Sequence, residues 1–167
     1  FGQKFGWERP NWFAPEGVEP ADDWSFRRTN YFEHVGNECK HVHEAVGLLD
    51  LTAFSKFEVS GPGAKAWLDG LVANRLPKSV GRIGLGHVLS ANGGVRSEFT
   101  IMRDGPDRFY LVSAGAGERH DGDTLVKSLP EIGVRLEAVT TQYGVLVLAG
   151  PKSRNLLAKL TDADLSN

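Results

Sequence analysis

Alternating apolar and polar residues dominate the chain from residue 36 onward. Period-two alternation predicts strands, and helical composition beside a Gly or Gly-Pro step predicts helices. The strand candidates are "FSKFEVSG", "GLGHVLS", "VRSEFTIMR", "DRFYLVSAG", "GVRLEAV" and "QYGVLVLAG". The helix candidates are "GNECKHVHEAVGLLD", ending at Gly47, "GPGAKAWLDGLVAN", starting at Pro62, "GERHDGDTLVKSLP", and "PKSRNLLAKLT", starting at Pro151. This order predicts an α+β fold in which helices pack on one side of a mainly antiparallel sheet.

Two segments share the order strand, Gly-Pro step, helix. They are "FEVSGPGAKAWLDGL" and "VLVLAGPKSRNLLAKL", and their apolar helix positions coincide at a constant offset of 89 residues. The coinciding positions are Trp67, Leu68 and Leu71 in the first and Leu156, Leu157 and Leu160 in the second. An internal duplication and the common use of Gly-Pro at helix starts explain this repeat equally well.

The segment "ANGG" between two strand candidates predicts a β-hairpin, because Asn92-Gly93 is a favoured two-residue turn. A turn centred there pairs Leu89 with Arg96, Val88 with Ser97 and His87 with Glu98. Alternation then places Val95, Ser97, Phe99 and Ile101 on the core face, and Arg96, Glu98, Thr100 and Met102 on the other.

Glu98 is a carboxylate in the middle of this half-buried strand, and two interpretations are open. On a solvated face it pairs with neighbours such as His87 and contributes less than about 1 kcal/mol. On a face that lines a cleft, the same carboxylate can accept a proton or bind a cationic ligand nitrogen. Spacing along the strand does not separate the two.

Composition narrows the class of protein. A formal net charge of −2 gives no reason to expect nucleic acid or an anionic membrane as partner. No apolar run reaches the roughly 20 residues of a membrane-spanning helix. Cys39 is the single cysteine, which excludes an internal disulfide and a cysteine-rich metal site. Length and the 41% hydrophobic content suit one good core.

Residues 1–30 differ in composition from the rest of the chain. They carry three of the four Trp, together with Pro10, Pro15 and Pro20, without periodicity. This favours an extended arm that lies across another surface, with a domain over residues 31–167. The chain is expected to be a piece of a longer protein.

Other motifs do not support a cofactor or metal site. "GPGAKA" follows a strand and opens a helix, but Pro62 interrupts the dinucleotide fingerprint and a hairpin follows instead of a parallel strand. Cys39 and His43 lie one helical turn apart, with no obvious third ligand, so no metal site is expected.

Five blocks of the chain resemble the dimethylglycine and sarcosine dehydrogenase family, in the family's order. They are "FGWERPNWFAP", "SFRRTNYFEHVGNE", "VGLLDLTAFSKFEVSGPGA", "NGGVRSEFTI" and "GVLVLAGPKSR". The resemblance implies the first part of a domain similar to the T-protein of the glycine cleavage system. In this family an FAD domain oxidises an N-methyl amine, and the T-protein-like region binds tetrahydrofolate and forms 5,10-methylenetetrahydrofolate.

The resemblance also implies site residues. The T-protein pattern in the hairpin is Gly-Gly, two residues, then an acidic residue that is usually the second of two Asp; here it falls on Glu98, with Ser97 in place of the first Asp. Its implied role is to accept a proton from the folate nitrogen. The pterin-lining position falls on Phe54, and Thr100 and Met102 share the face of Glu98.

The expected function is thus the folate-side portion of an FAD-dependent N-methyl amine dehydrogenase, with FAD in a preceding domain of the same polypeptide. The alternative is a T-protein-like binding or scaffold module without turnover. The expected location is the cytoplasm for a bacterial protein and the mitochondrial matrix for a eukaryotic one. The isolated chain is expected to be inactive in oxidation.

Overall fold

The computed structural model describes residues 1–166, which fall into two compact units. Residues 1–51 together with those from 146 onward form the first unit, and residues 52–145 form the second. The elements in chain order are β1 (Gly2–Lys4), β2 (Trp7–Arg9), α1 (Phe32–Glu44), β3 (Gly47–Asp50), β4 (Ser55–Ser60), α2 (Ala64–Leu71), β5 (Ile83–Leu89), β6 (Val95–Gly105), β7 (Arg108–Ser113), α3 (Glu118–Ser128), β8 (Arg135–Ala138), β9 (Leu146–Ala149) and α4 (Ser153–Leu157).

The second unit is built on a five-stranded sheet in the order β5-β6-β7-β4-β8. Every neighbouring pair in it is antiparallel. The predicted α+β class with a mainly antiparallel sheet is confirmed.

One face of this sheet forms the core. Phe57, Phe99, Ile101 and Leu111 alternate along β4, β6 and β7 with polar neighbours, and each is at most 2% exposed. Helices α2 and α3 pack on this face. They contribute three fully buried side chains, which are Ala64 and Leu68 from α2 and Leu125 from α3. The helices are also joined directly, because the Trp67 indole N–H donates to the Ser128 carbonyl at 2.7 Å.

The hairpin differs from the prediction at its tip. Leu89 pairs with Val95, and the Ser90 N–H donates to the Gly94 carbonyl, so the loop has three residues with Gly93 at φ +81°. A β-bulge at Arg96 then compensates for the odd loop, because a left-handed third residue followed by a bulge is a standard hairpin solution.

This bulge decides which predicted pairs form. His87 faces Glu98 and Val88 faces Ser97, as predicted. The predicted pairing of Leu89 with Arg96 is wrong, and Val95, predicted for the core face, is 64% exposed.

The first unit contains smaller elements. β3 and β9 form an antiparallel pair, and β1 and β2 form a separate two-stranded hairpin. The first helix starts at Phe32, earlier than predicted, and ends before Gly47, whose segment forms β3 instead of the last helical turn. No described residue of this unit is buried.

The arm predicted over residues 1–30 is anchored by Trp12. Its indole N–H donates to Asp22 Oδ1 at 2.7 Å, and its ring stacks on Tyr31 and His34 at centroid distances of 5.6 and 5.8 Å. The boundary at residue 30 stays a prediction.

The two Gly-Pro steps adopt the same turn. Gly61 and Gly150 have φ of +115° and +112°, a region that favours glycine. Each helix begins two residues after its proline, at Ala64 and Ser153, so the prediction of proline at the first helical position is wrong. The prolines belong to the turns that precede the helices.

Candidate functional site

The face of the five-stranded sheet opposite the core carries the predicted site. We call it the Glu98 face; it comprises Lys56 and Glu58 of β4, Ile83, Leu85 and His87 of β5, Glu98, Thr100 and Met102 of β6, and Tyr110 and Val112 of β7. Strand pairing makes these positions neighbours across the sheet: Leu85, Thr100, Val112 and the buried Lys56 form one row. Ile83, Met102, Tyr110 and Glu58 form the next row.

Glu98 is accessible and oriented by a histidine. Its side chain is 61% exposed, and its Oε2 lies 2.9 Å from Nε2 of His87, whose side chain is 26% exposed. Within residues 1–166 no lysine or arginine nitrogen forms an ion pair with this carboxylate. The carboxylate is thus held by one neighbour and open to a ligand.

His87 is itself held from its other side. The Oδ1 atom of Asn74 lies 2.9 Å from the His87 backbone N and 2.8 Å from His87 Nδ1. Asn74 follows α2, and the neighbouring Ala73 N–H donates to the His87 carbonyl at 2.9 Å. The two adjacent residues Ala73 and Asn74 therefore hold His87 beside Glu98.

Thr100 and Met102 lie on the same face as Glu98, at successive outward positions of β6. Both are half-buried. Thr100 pairs with Leu85 and Val112, and Met102 pairs with Ile83 and Tyr110. Alternation along the strand thus brings all three predicted β6 residues to one surface, as the sequence predicted.

Phe54 lies immediately before β4 and is half-buried. The next residue, Ser55, pairs with Ser113 of β7. Strand β7 lies between β4 and β6 in the sheet. Two strand spacings of about 4.8 Å place Phe54 about 10 Å across the sheet from β6. The structure brings Phe54 and Glu98 to the same end of the sheet without a direct contact.

A buried lysine shapes the Phe54 turn. Lys56 is fully buried, and its Nζ donates to the carbonyl oxygens of Thr52 at 2.6 Å and of Phe54 at 2.8 Å. These charge-assisted hydrogen bonds constrain the backbone just before β4. Sequence reasoning missed this role, because an alternating strand with a polar Lys56 predicts an exposed side chain.

Apolar side chains accompany the polar ones on the Glu98 face. Ile83 and Leu85 are 63% and 53% exposed. Tyr110 meets Tyr143 edge to face at a centroid distance of 6.3 Å. Burial, followed by the charges of Tyr143 and Glu58, raises the pKa of Tyr110 above its ordinary value of 10.0.

This arrangement fits a ligand with a flat ring and an N–H group. The exposed apolar strip of Ile83 and Leu85 can receive a ring by contact, while the Glu98 carboxylate offers an acceptor to a nitrogen. A folate pterin has both properties. The described sheet of this unit is antiparallel and has no parallel β-strand–helix–β-strand crossover of the dinucleotide-binding type.

The other sequence candidates do not assemble into sites. Cys39 is exposed, and no group of three or more metal-ligating side chains is found within residues 1–166. Among the helices described here, none has the length and apolar character required to cross a bilayer.

The first unit has an apolar groove of about 650 Å³. Val42, Leu48, Leu49 and Val147 line it, with His41 and Glu38 among its polar residues. None of the predicted site residues lies in this groove. Its apolar lining and the polar Glu98 face are chemically different surfaces.

Comparison with known proteins identifies relatives over the whole chain. The family described as "GCVT N-terminal domain" matches residues 1–167. Mitochondrial dimethylglycine dehydrogenase of Mus musculus is 40% identical over 164 residues, 97% of this chain and 19% of that protein. The mitochondrial pyruvate dehydrogenase phosphatase regulatory subunit of Mus musculus is 31% identical over 170 residues, 98% of this chain and 19% of that protein. The chain spans about a fifth of the length of these relatives.

Among solved structures, glycine cleavage system aminomethyltransferase T from Bartonella henselae superposes with a TM-score of 0.68 at 22% identity. The match covers 74% of this chain and 34% of that one. This likeness confirms the T-protein fold, and the relatives confirm the resemblance to the dimethylglycine and sarcosine dehydrogenase family.

Proposed function

Because the chain belongs to the GCVT N-terminal domain family, we propose that it is the folate-side portion of a longer N-methyl amine dehydrogenase of the dimethylglycine or sarcosine type. In this proposal the region binds tetrahydrofolate and passes a one-carbon unit to it, giving 5,10-methylenetetrahydrofolate. The observation that carries the proposal is the accessible Glu98 carboxylate on a sheet face that also carries an exposed apolar strip.

Glu98 is the proposed acid–base group. The one-carbon unit is taken as the methylene of an iminium, the product of oxidising the N-methyl amine. The electron pair of a secondary-amine nitrogen of tetrahydrofolate forms a bond to this carbon, while the π pair of the C=N bond moves to the substrate nitrogen. The folate nitrogen becomes positively charged, and its proton passes to Glu98, which changes from carboxylate to carboxylic acid. Glu98 returns that proton to the substrate amine, which leaves as a second folate nitrogen bonds to the same carbon and loses its own proton. A carboxylate beside the developing positive charge also stabilises it electrostatically.

Thr100, Met102 and Phe54 are the proposed binding residues. Thr100 lies two residues after Glu98 on the same face of β6 and offers a hydroxyl. Met102 offers a polarizable thioether for contact with a ring. Phe54 offers an aromatic surface at the same end of the sheet. Ser97 is only 4% exposed on the core face, so the position of the missing first Asp does not contribute to this surface.

The proposed partners are the folate, the N-methyl amine substrate and an FAD domain of the same polypeptide. FAD carries out the oxidation in that separate domain, so no oxidative step is assigned to the residues described here. The proposed location is the cytoplasm of a bacterium or the mitochondrial matrix of a eukaryote.

A second candidate is a T-protein-like module without turnover, which binds folate or holds a partner domain. One observation favours it specifically: a relative matching 98% of the chain is a regulatory subunit by name. At position 98, Glu in place of the Asp that the family pattern implies also makes the side chain longer by one methylene.

Calorimetric titration with tetrahydrofolate tests the proposal. The 167-residue chain and the longer protein that contains it are titrated in two buffers of different ionisation enthalpy, so that protons exchanged with buffer are counted. Glu98→Gln is compared with Glu137→Gln, a matched control on β8 whose carboxylate pairs with Arg135 at 2.8 Å. We expect Glu98→Gln to weaken binding about tenfold and to change the proton count.

Formation of 5,10-methylenetetrahydrofolate by the longer protein, lost in Glu98→Gln and kept in Glu137→Gln, supports the enzymatic proposal. Tetrahydrofolate binding without product formation supports the second candidate, a T-protein-like module without turnover. Absence of binding by both the chain and the longer protein contradicts a folate site.

A further inference from the structure

Beyond the role of Glu98, we propose that Asn74 and His87 are positioning residues: Asn74 fixes His87 in the Nδ1–H form, and His87 then orients the Glu98 carboxylate so that its Oε1 faces the ligand. This inference rests on the proposed function for the identity of the ligand, while the arrangement of the three side chains rests on their geometry.

The first step concerns the orientation of the Asn74 amide. Its Oδ1 lies 2.9 Å from the backbone nitrogen of His87, which is always a donor. The opposite amide orientation would set an NH₂ group against that N–H, placing two donors in contact. The atom facing His87 is therefore the oxygen.

The second step concerns the imidazole. The same Oδ1 lies 2.8 Å from His87 Nδ1, and an amide oxygen is only an acceptor. Nδ1 must therefore carry a proton. The amide oxygen accepts two hydrogen bonds, one for each of its lone pairs, and both come from the same histidine.

The third step concerns Glu98. Because Nδ1 carries a proton, a neutral His87 would present a bare Nε2 to Oε2 at 2.9 Å. A bare nitrogen and a carboxylate oxygen are both acceptors, so this contact requires one further proton. With both ring nitrogens facing acceptors, the imidazolium form satisfies both contacts: Nδ1 donates to Asn74 and Nε2 donates to Oε2, and Glu98 is a carboxylate that can take a proton at Oε1.

The fourth step concerns the free oxygen. Oε2 is occupied by His87, whereas Oε1 has no hydrogen-bond partner among the residues described here. The outward position of Glu98 on β6 makes this oxygen the one that meets a ligand. A proton taken from the ligand nitrogen then forms a bond to Oε1, and the nitrogen keeps the electron pair of its broken N–H bond.

The charged groups around the pair leave this assignment unchanged. On β6, Arg96 lies two residues before Glu98, and α3 places His120 Nε2 at 3.2 Å from the Arg96 carbonyl. On β4, the Lys56 ammonium is directed to the Thr52 and Phe54 carbonyls. On β7, Arg108 pairs with Glu58 and Asp104.

Nitrogen-15 NMR of the imidazole tests the arrangement in the whole 167-residue chain. The chain has five histidines, and the resonances lost in His87→Phe identify those of His87. We expect Nδ1 of His87 to carry a proton in the wild-type chain and in Asn74→Asp, which keeps an acceptor oxygen. Asn74→Ala is expected to convert neutral His87 to the Nε2–H form, with Nδ1 bare.

Tetrahydrofolate titration then tests the consequence for binding. Asn74→Ala is expected to weaken binding roughly three- to tenfold, and Asn74→Asp to restore it. A bare Nδ1 in the wild-type chain overturns the proposal, even where tetrahydrofolate binds. A protonated Nδ1 with binding unchanged in Asn74→Ala overturns the positioning role.

The two proposals fail separately. If Nδ1 is protonated and switches in Asn74→Ala, while no form of the protein binds tetrahydrofolate, the side-chain arrangement is upheld and the folate function falls.

Discussion

The two strand–Gly-Pro–helix segments share a turn but differ in burial. Around Gly61, Phe57 of β4, the counterpart of Leu146, is 2% exposed, and Leu68 of α2 is fully buried. Around Gly150, Leu146 of β9 is 64% exposed and Leu157, the counterpart of Leu68, is 39% exposed. The backbone of the turn follows from the local sequence, whereas burial depends on how many strands and helices the segment finds to pack against.

The surroundings account for this difference. The first segment lies in a five-stranded sheet covered by two helices, and the second in a two-stranded sheet that leaves an apolar groove. Similar local sequence patterns are therefore expected to differ in stability, because apolar burial supplies most of the favourable free energy of folding.

The largest expected effect comes from the matched leucines. Leu68→Ala removes a fully buried side chain and is expected to lower the free energy of unfolding of its unit by about 3 kcal/mol. Leu157→Ala, at the corresponding position, is expected to cost less than about 1 kcal/mol, since its side chain is partly in water.

Urea denaturation monitored by hydrogen exchange separates the two units and provides the measurement. Equal costs for the two substitutions would contradict the unequal burial on which the comparison depends.

A smaller and more equal effect is expected at the two glycines. A Cβ on Gly61 would lie 2.6 Å from the Gly133 carbonyl oxygen, and one on Gly150 would lie 2.5 Å from the carbonyl oxygens of Ala45 and Val42. Gly61→Ala and Gly150→Ala are each expected to destabilise their segment by about 1–3 kcal/mol, through left-handed strain and this clash.

Amide exchange at Gly63 and Lys152 reports each turn, because these N–H groups donate to Gly133 and Ala45. Gly70→Ala is the control: a Cβ there meets nothing within 4 Å, and it is expected to stabilise α2 by about 0.5–1 kcal/mol. Faster exchange of the Gly63 amide in Gly70→Ala than in Gly61→Ala would contradict the backbone strain assigned to the Gly61 turn.

The smallest effect is expected from pH, and it belongs to the second unit. Folding raises the pKa of the Tyr110 hydroxyl. As pH rises through 10.0, the hydroxyl therefore loses its proton in the unfolded chain at a lower pH than in the folded chain. Stability from this group is complete below the unfolded pKa and is lost as pH rises through the folded one.

Denaturation midpoints between pH 8 and 11.5 should therefore fall less steeply in Tyr110→Phe than in wild type. Glu58→Gln, which removes one of the charges that raise this pKa, should give an intermediate slope. Identical slopes in all three proteins would show that Tyr110 does not contribute to the loss of stability at high pH.

Much of the candidate site was predictable from the alternation of β6. Period-two alternation identified the face shared by Glu98, Thr100 and Met102, and the Asn92-Gly93 signal gave the pairing of Glu98 with His87. The loop length was predicted incorrectly, yet the Arg96 bulge restored the register, since a sheet with a buried face penalises a one-residue slip.

The sequence by itself determined the local elements: the hairpin, the glycine turns and the sides of the strands. These depend on neighbours a few residues apart, through backbone sterics and side-chain alternation. Only the tertiary structure decided that Asn74 reaches His87, that Lys56 is buried against two carbonyls, and that Leu68 is covered while Leu157 is not. The contact of Asn74 with His87 and the cover over Leu68 join different elements of the chain, and the Lys56 side chain turns back to nearby carbonyls only because the fold buries it. The alternation of a single strand or helix encodes none of these.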